Sequence, residues 1–140
     1  VSEGDLRYPS NYDLDYFARA TLQYKPAKKW IIGASWLFRQ GVHYQPLSAT
    51  QFDSNLGVFQ PFYRPITQQE RLPNYSILDV NVSRVFLLSE NSNLITFASV
   101  SNAFNRENVR SINYNSNYTE PFNELFSQRT FFFGVILNFI

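Results

Sequence analysis

Few side chains in this sequence are equipped for covalent or acid–base chemistry, and their spacing does not bring them together. His43 is the only histidine, and there is no cysteine. Transition-metal sites need several imidazole or thiolate ligands, so a single His has little to build on. His43 therefore reads as a solvated residue near a strand end rather than a haem or metal ligand. Asp13 and Asp15 stand two apart, on one face of an extended segment, and read as inward-facing or loop-edge charges rather than an acid–base pair. No Ser/His/Asp spacing, glycine-rich phosphate loop or metal-binding helix motif occurs. Neither an enzyme nor a bound cofactor or metal is expected.

The sequence does offer aromatic surface. Tyr44, Phe52, Phe59, Phe62, Tyr63 and Arg64 fall in or at the edge of one irregular stretch, and Tyr114, Tyr118 and Phe122 in or at the edge of another. Rings beside a guanidinium suit sugars, siderophores or anionic ligands. The plainer alternative is that these rings pack the loops against their neighbours. Tyr44, Phe59, Phe62, Tyr63, Arg64, Tyr114 and Tyr118 are the candidates for ligand contact.

The elements that must position them alternate with period two, the signature of half-buried strands. Strands are predicted at about 12–24, 30–44, 75–88, 94–114 and 129–140. In the second, Trp30, Ile32, Ala34, Trp36 and Phe38 share one parity; in the third, Leu78, Val80, Val82, Phe86 and Leu88 alternate with Asp79, Asn81 and Ser83. The connections alternate between short and long. Lys25–Lys29 and Ser89–Asn93 are short polar turns, whereas 45–70 and 115–127 are long, irregular and proline-bearing. No helical period of useful length appears, so the fold class is all-β: an antiparallel up-and-down meander of about five strands.

Composition narrows the setting. The 140 residues carry a formal net charge of +1 and are only 16% charged, below the ~25% of an average soluble domain, so nucleic acid is not an expected partner. No apolar run approaches the ~18–20 residues of a spanning helix, but a transmembrane β-strand needs only ~9–11. Tyr24 and Trp30 flank the Lys25–Lys29 turn, which holds all three lysines, as aromatic girdles flank a membrane interface. Arg84 shares the apolar parity three to five residues from the next turn, where a long cation reaches headgroups. The sequence has no Met and starts without a signal peptide's basic and apolar regions, so a processed or excised piece is expected.

Three segments resemble the closing strands of TonB-dependent outer-membrane receptors. Arg71-Leu72-Pro73-Asn74-Tyr75-Ser76-Ile77-Leu78-Asp79-Val80-Asn81-Val82-Ser83 resembles their RLPDYxxLDLSxS strand. Val100-Ser101-Asn102-Ala103-Phe104-Asn105-Arg106-Glu107-Asn108 resembles V-x-N-L-F-N-R-x-N, with Ala103 in place of the commoner Leu. Phe131, Phe133, Val135, Leu137 and Phe139 form a stripe similar to the barrel-assembly signal of the last strand, although Ile140 follows the final aromatic. Together the segments cover roughly residues 71–140 and are closer to Bacteroidota receptors than to SusC-like glycan importers.

The resemblance implies the last part of a 22-stranded transmembrane barrel in the outer membrane of a Gram-negative bacterium. Residues 1–11, 45–70 and 115–127 would then be outer loops. The implied function is TonB-energised import of a scarce solute such as a siderophore, vitamin, oligosaccharide or peptide. The implied partners are outer-membrane lipid, the rest of the barrel with its plug domain, the TonB complex, and a surface lipoprotein as a candidate. Two other readings compete: a non-transporting outer-membrane barrel for adhesion, secretion or docking, and a soluble β-sandwich or lipocalin-like carrier.

Overall fold

The structure, a computed structural model, describes residues 2–3, 6–7, 10 and 13–139. The expected loop and strand positions at 1, 4–5, 8–9, 11–12 and 140 lie outside the described residues. Thirteen strands run through them: β1 (Ser2–Glu3), β2 (Leu6–Arg7), β3 (Phe17–Tyr24), β4 (Trp30–Arg39), β5 (His43–Tyr44), β6 (Leu47–Asp53) and β7 (Val58–Tyr63), then β8 (Glu70–Arg71), β9 (Tyr75–Ser89), β10 (Ser92–Ser101), β11 (Val109–Tyr114), β12 (Pro121–Leu125) and β13 (Thr130–Phe139). One 3-10 turn, Ile66–Gln68, precedes β8. The chain divides into two compact units. One comprises Phe17–Phe38, Ser76–Glu107 and Ser127–Ile140; the other comprises Val1–Tyr16, Arg39–Tyr75 and Asn108–Phe126.

The first unit is built on a single five-stranded sheet in the order β13-β10-β9-β4-β3, an antiparallel meander. Its two tight connections, 25–29 and 90–91, share one end of the sheet, and the chain leaves and re-enters the sheet at the other. Strand pairing sorts the side chains cleanly. Val82, Ala98 and Phe133 lie abreast, as do Val80, Val100 and Phe131, then Phe86, Leu94 and Leu137. The Trp36 indole donates to the Ser76 hydroxyl at 3.0 Å, which sets β4 against β9. One face therefore carries Leu22, Trp30, Ile32, Trp36, Val80, Val82 and the Phe131–Phe139 stripe. The other carries Arg19, Ser35, Asp79, Asn81, Ser83, Ser99 and Asn138 among apolar neighbours such as Phe97 and Ile136.

Nothing among the described residues covers the apolar face. Phe133 is 78% exposed, Phe139 79% and Leu22 67%. Among the described residues, Leu72 is the only large apolar one that is buried. On the opposite face, a Cβ added to Gly134 would overlap the Phe97 ring, so that ring occupies the space left by the missing side chain.

The ends of β10 and β13 are tied by one buried node. Asn102, 1% exposed, adopts φ 52° and stops β10. Its side-chain amide donates to the carbonyls of Arg106 (2.9 Å) and Ser127 (3.3 Å), while its Oδ1 accepts from the Arg106 amide (3.0 Å). Asp79 on β9 accepts both from the Asn102 amide at 3.0 Å and from the Ser101 hydroxyl at 2.7 Å. Asn105, also left-handed at φ 51°, accepts from the Arg129 amide. Two left-handed residues within four positions end a strand, because L residues visit that region only singly and with local support. The single strand expected over 94–114 is thus two: β10, and β11 beginning at Val109.

The second unit is held at its strand junctions. The Arg71 guanidinium donates to the carbonyls of Asp13 and Gly41 and to the Asp15 carboxylate at 3.0 Å. Gly41 donates to Asn74 Oδ1, and a Cβ there would collide with the Leu72 carbonyl oxygen. This contact explains why β4 ends at Arg39 instead of reaching Tyr44: the chain turns, and His43–Tyr44 pairs with Glu70–Arg71. The Arg71 clamp likewise holds 13–15, and regular pairing starts at Phe17 rather than near 12. Residues 45–70, expected to be irregular, hold the β6–β7 hairpin, and 115–127 holds β12 paired with β11.

Asn102→Ala in the full protein is expected to lose the three side-chain hydrogen bonds to Arg106 and Ser127, each worth about 0.5–1.5 kcal/mol. Asn102→Gly loses the same bonds but keeps the left-handed backbone, so it should be milder by about 1–2 kcal/mol. Urea unfolding of the two variants measures the difference.

Candidate functional site

The aromatic candidates lie in the second unit, and strand pairing decides which of them meet. Tyr44 on β5 stands opposite Glu70 on β8. The Tyr44 hydroxyl donates to Glu70 Oε2 at 3.1 Å, and Arg64 Nη1 donates to Glu70 Oε1 at 2.8 Å. Arg64 is fixed from behind: its amide donates to the Pro46 carbonyl, and its carbonyl accepts from the Gln45 side chain. Burial raises the Tyr44 pKa above its ordinary value. The Glu70 hydrogen bond and charge, with the nearby Tyr114 phenol, push the same way against Arg64. Tyr44 therefore stays a neutral donor through the physiological range.

Tyr114, on β11, extends the cluster to Tyr118, whose ring lies 6.2 Å away with the planes inclined at 38°. Tyr118 sits at φ 58°, an uncommon conformation for a bulky residue. Asn115 holds it there. Its carbonyl accepts from the Tyr118 amide, and its Oδ1 accepts from the amides of Thr119 and Glu120. Tyr44 and Arg64 thus meet at Glu70, and Tyr114, near Tyr44, carries the cluster on to Tyr118. The Arg64–Glu70 pair is about half exposed, and such a pair adds little stability in water. The arrangement offers phenol faces, hydroxyl donors and a fixed guanidinium to a polar or aromatic ligand.

The remaining candidates go elsewhere. Phe59 packs on Phe52 across the β6–β7 hairpin with centroids 5.1 Å apart. Phe62 and Tyr63 follow one another on β7 and so point to opposite faces, each about half exposed. Phe122 lies opposite Asn113 and is exposed. His43 corrects its expectation: it is buried, not solvated, and its Nδ1 lies 3.3 Å from the Ser10 carbonyl oxygen. The β5–β8 pairing draws the ring in, where a strand ending in an open loop would leave it wet. No group of His, Cys, Asp and Glu among the described residues is placed to hold a metal ion. The Asp15 carboxylate is engaged by Arg71. Arg84 lies over the Trp30 and Phe86 rings at 4.9 and 4.5 Å.

Comparison with family models, curated proteins and solved structures finds no match.

A second polar cluster stiffens the β11–β12 hairpin. Glu124 accepts from Ser111 at 2.6 Å, Asn113 at 3.1 Å and Arg110 at 3.4 Å. The Ser111 bond, then that of Asn113, holds its carboxyl below the usual range, with Arg110 adding to the effect. A depressed folded-state pKa contributes stability above the ordinary carboxylate value and loses it as pH falls through the lowered one. Amide protection factors across 109–125, corrected for the intrinsic pH dependence of exchange, should therefore fall on acidification. Glu124→Gln should flatten that dependence in hydrogen-exchange measurements.

Proposed function

We propose that this chain is a wall segment of an outer-membrane β-barrel, and that the barrel is a TonB-energised transporter importing a scarce solute. The observation that carries the membrane reading is the uncovered apolar face. A water-soluble domain of this mass exposes about 7,500 Å² by surface scaling, whereas this chain exposes 10309 Å². The excess includes the aromatic and aliphatic stripe on one side of the sheet. Contiguous apolar patches beyond a few hundred Å² mark an interaction or membrane surface.

The sheet strands, 8 to 15 residues long, suit a tilted crossing that needs ~9–11. Both outer strands, β3 and β13, have a neighbour on one side only. Open edges are not tolerated in hydrocarbon, which supports a sheet continued by further strands into a closed barrel wall; the count of 22 strands rests on the family resemblance. Tight hairpins at one end and long excursions at the other match the periplasmic and outer ends of such barrels.

The transport reading is supported by the receptor-like segments. Asp79 from the first segment and Ser101 and Asn102 from the second bond to one another. The Tyr44–Arg64–Glu70–Tyr114–Tyr118 cluster would lie in the outer loops, where a solute arrives.

Ala98→Arg places a cation mid-strand on the apolar face and is expected to cost about 2–4 kcal/mol for the full protein folded in vesicles. Ser99→Arg, on the opposite face, should cost far less. Full protein that stays monodisperse in plain buffer, without detergent and without a heat-modifiable gel shift, would refute the membrane reading. A gene lacking a plug domain and TonB box upstream would leave a barrel that does not transport. Under the transport reading, uptake of the solute collapses when TonB is deleted.

A further inference from the structure

The hairpin end of the apolar face holds a concentration of cations that the barrel wall itself does not use. Lys25, Lys28 and Lys29 are the only lysines in the chain and occupy the β3–β4 turn. The Lys29 carbonyl accepts from the Val85 amide at 2.9 Å, which sets that turn directly beside Arg84. No carboxylate among the described residues pairs with any of the four; the ion pairs seen are Arg64–Glu70, Arg71–Asp15 and Arg110–Glu124. Glu90, in the β9–β10 turn, is the one acidic residue in the two turns at this end.

Arg84 is held in a particular way. Its guanidinium lies over two rings, Trp30 and Phe86, on the apolar face. No hydrogen bond or ion pair among the described residues engages its N–H groups, and a guanidinium with its donors available can take a phosphate bidentately. Tyr24 and Trp30, both exposed, flank the lysine turn, as amphipathic rings do where one end meets hydrocarbon and the other headgroups.

We propose that Arg84, with Lys25, Lys28 and Lys29, forms a selective site for the phosphate headgroup of an anionic phospholipid, its acyl chains lying along the apolar face of the sheet. The occupant is a lipid because the cations border an uncovered apolar surface, which a free phosphate would not use. Charge complementarity selects an anionic lipid: four cations against Glu90 offer a zwitterionic headgroup no comparable gain. The inference rests on the membrane-wall reading.

The test uses the full protein in phosphatidylcholine vesicles doped with either brominated phosphatidylglycerol or brominated phosphatidylcholine. Trp30 emission is isolated by difference from Trp30→Phe. At low bromolipid fraction, phosphatidylglycerol should quench Trp30 at least roughly fivefold more effectively, since each cation near an anionic surface contributes about that factor. The preference should fall in 0.5 M salt, by roughly the extent that screening shortens its range. It should also be lost in Arg84→Gln/Lys28→Gln/Lys29→Gln, while Arg84→Lys retains part of it. Equal quenching by the two lipids overturns the headgroup site and leaves the membrane wall standing. No quenching by either overturns both. Should the triple variant fail to fold, the two-lipid comparison and its salt dependence still decide.

Discussion

The bonds that Asp79 and Asn102 make with each other and with the chain beyond them fix the frame of the sheet. Asn102 is buried and left-handed, so it ends β10 at a defined residue. Its amide also grips the Ser127 carbonyl, three residues before β13 begins. Asp79, two residues inside the Ile77 position of β9, ties the same point to the next strand over. Where β10 stops and where β13 starts are therefore set together. The pairing of Phe131 with Val100, and of every residue after it, follows. A hydrogen-bonded polar node is expensive to break when buried, which makes it suited to setting register in a sheet with no apolar core behind it.

The two units are stabilised in different ways. In the sheet unit, long ladders satisfy the backbone while one whole face remains apolar and uncovered. In the other unit, short hairpins rely on side chains that reach into backbone turns: Arg71 onto two carbonyls, Asn115 onto two amides, Asp53 onto the amides of Asn55 and Leu56. Such local bonds hold a turn without a core beneath it. They keep aromatic side chains such as Tyr118 displayed instead of folded away.

How much of this was legible in the sequence follows from the same contrast. A strand with one apolar face writes period two into its residues, so Trp30–Phe38 and Leu78–Phe86 announced themselves. A two-stranded hairpin with solvent on both sides has no such period, and β6–β7, carrying Pro61 within it, read as loop. Glu70 carries no local mark of its role; only the pairing of β5 with β8 brings it under Tyr44. His43 gave the opposite error, because burial by a two-residue strand leaves nothing to count. The end of β10 was hidden for a related reason: Asn102 and Asn105 are ordinary polar residues until their backbone turns left-handed.

Gly134 and Phe97 give the sheet a keyed joint. The ring on β10 fills the one notch that β13 offers on that side, since Phe132 and Ile136 flank it with full side chains. A slip of one residue would exchange the faces of the strand. A slip of two would preserve the faces but drive the ring into a bulky neighbour and leave the notch empty. Alignment along this seam is thus indexed by an absent side chain, and a strand added at the free edge of β13 would inherit that alignment without having to specify it again.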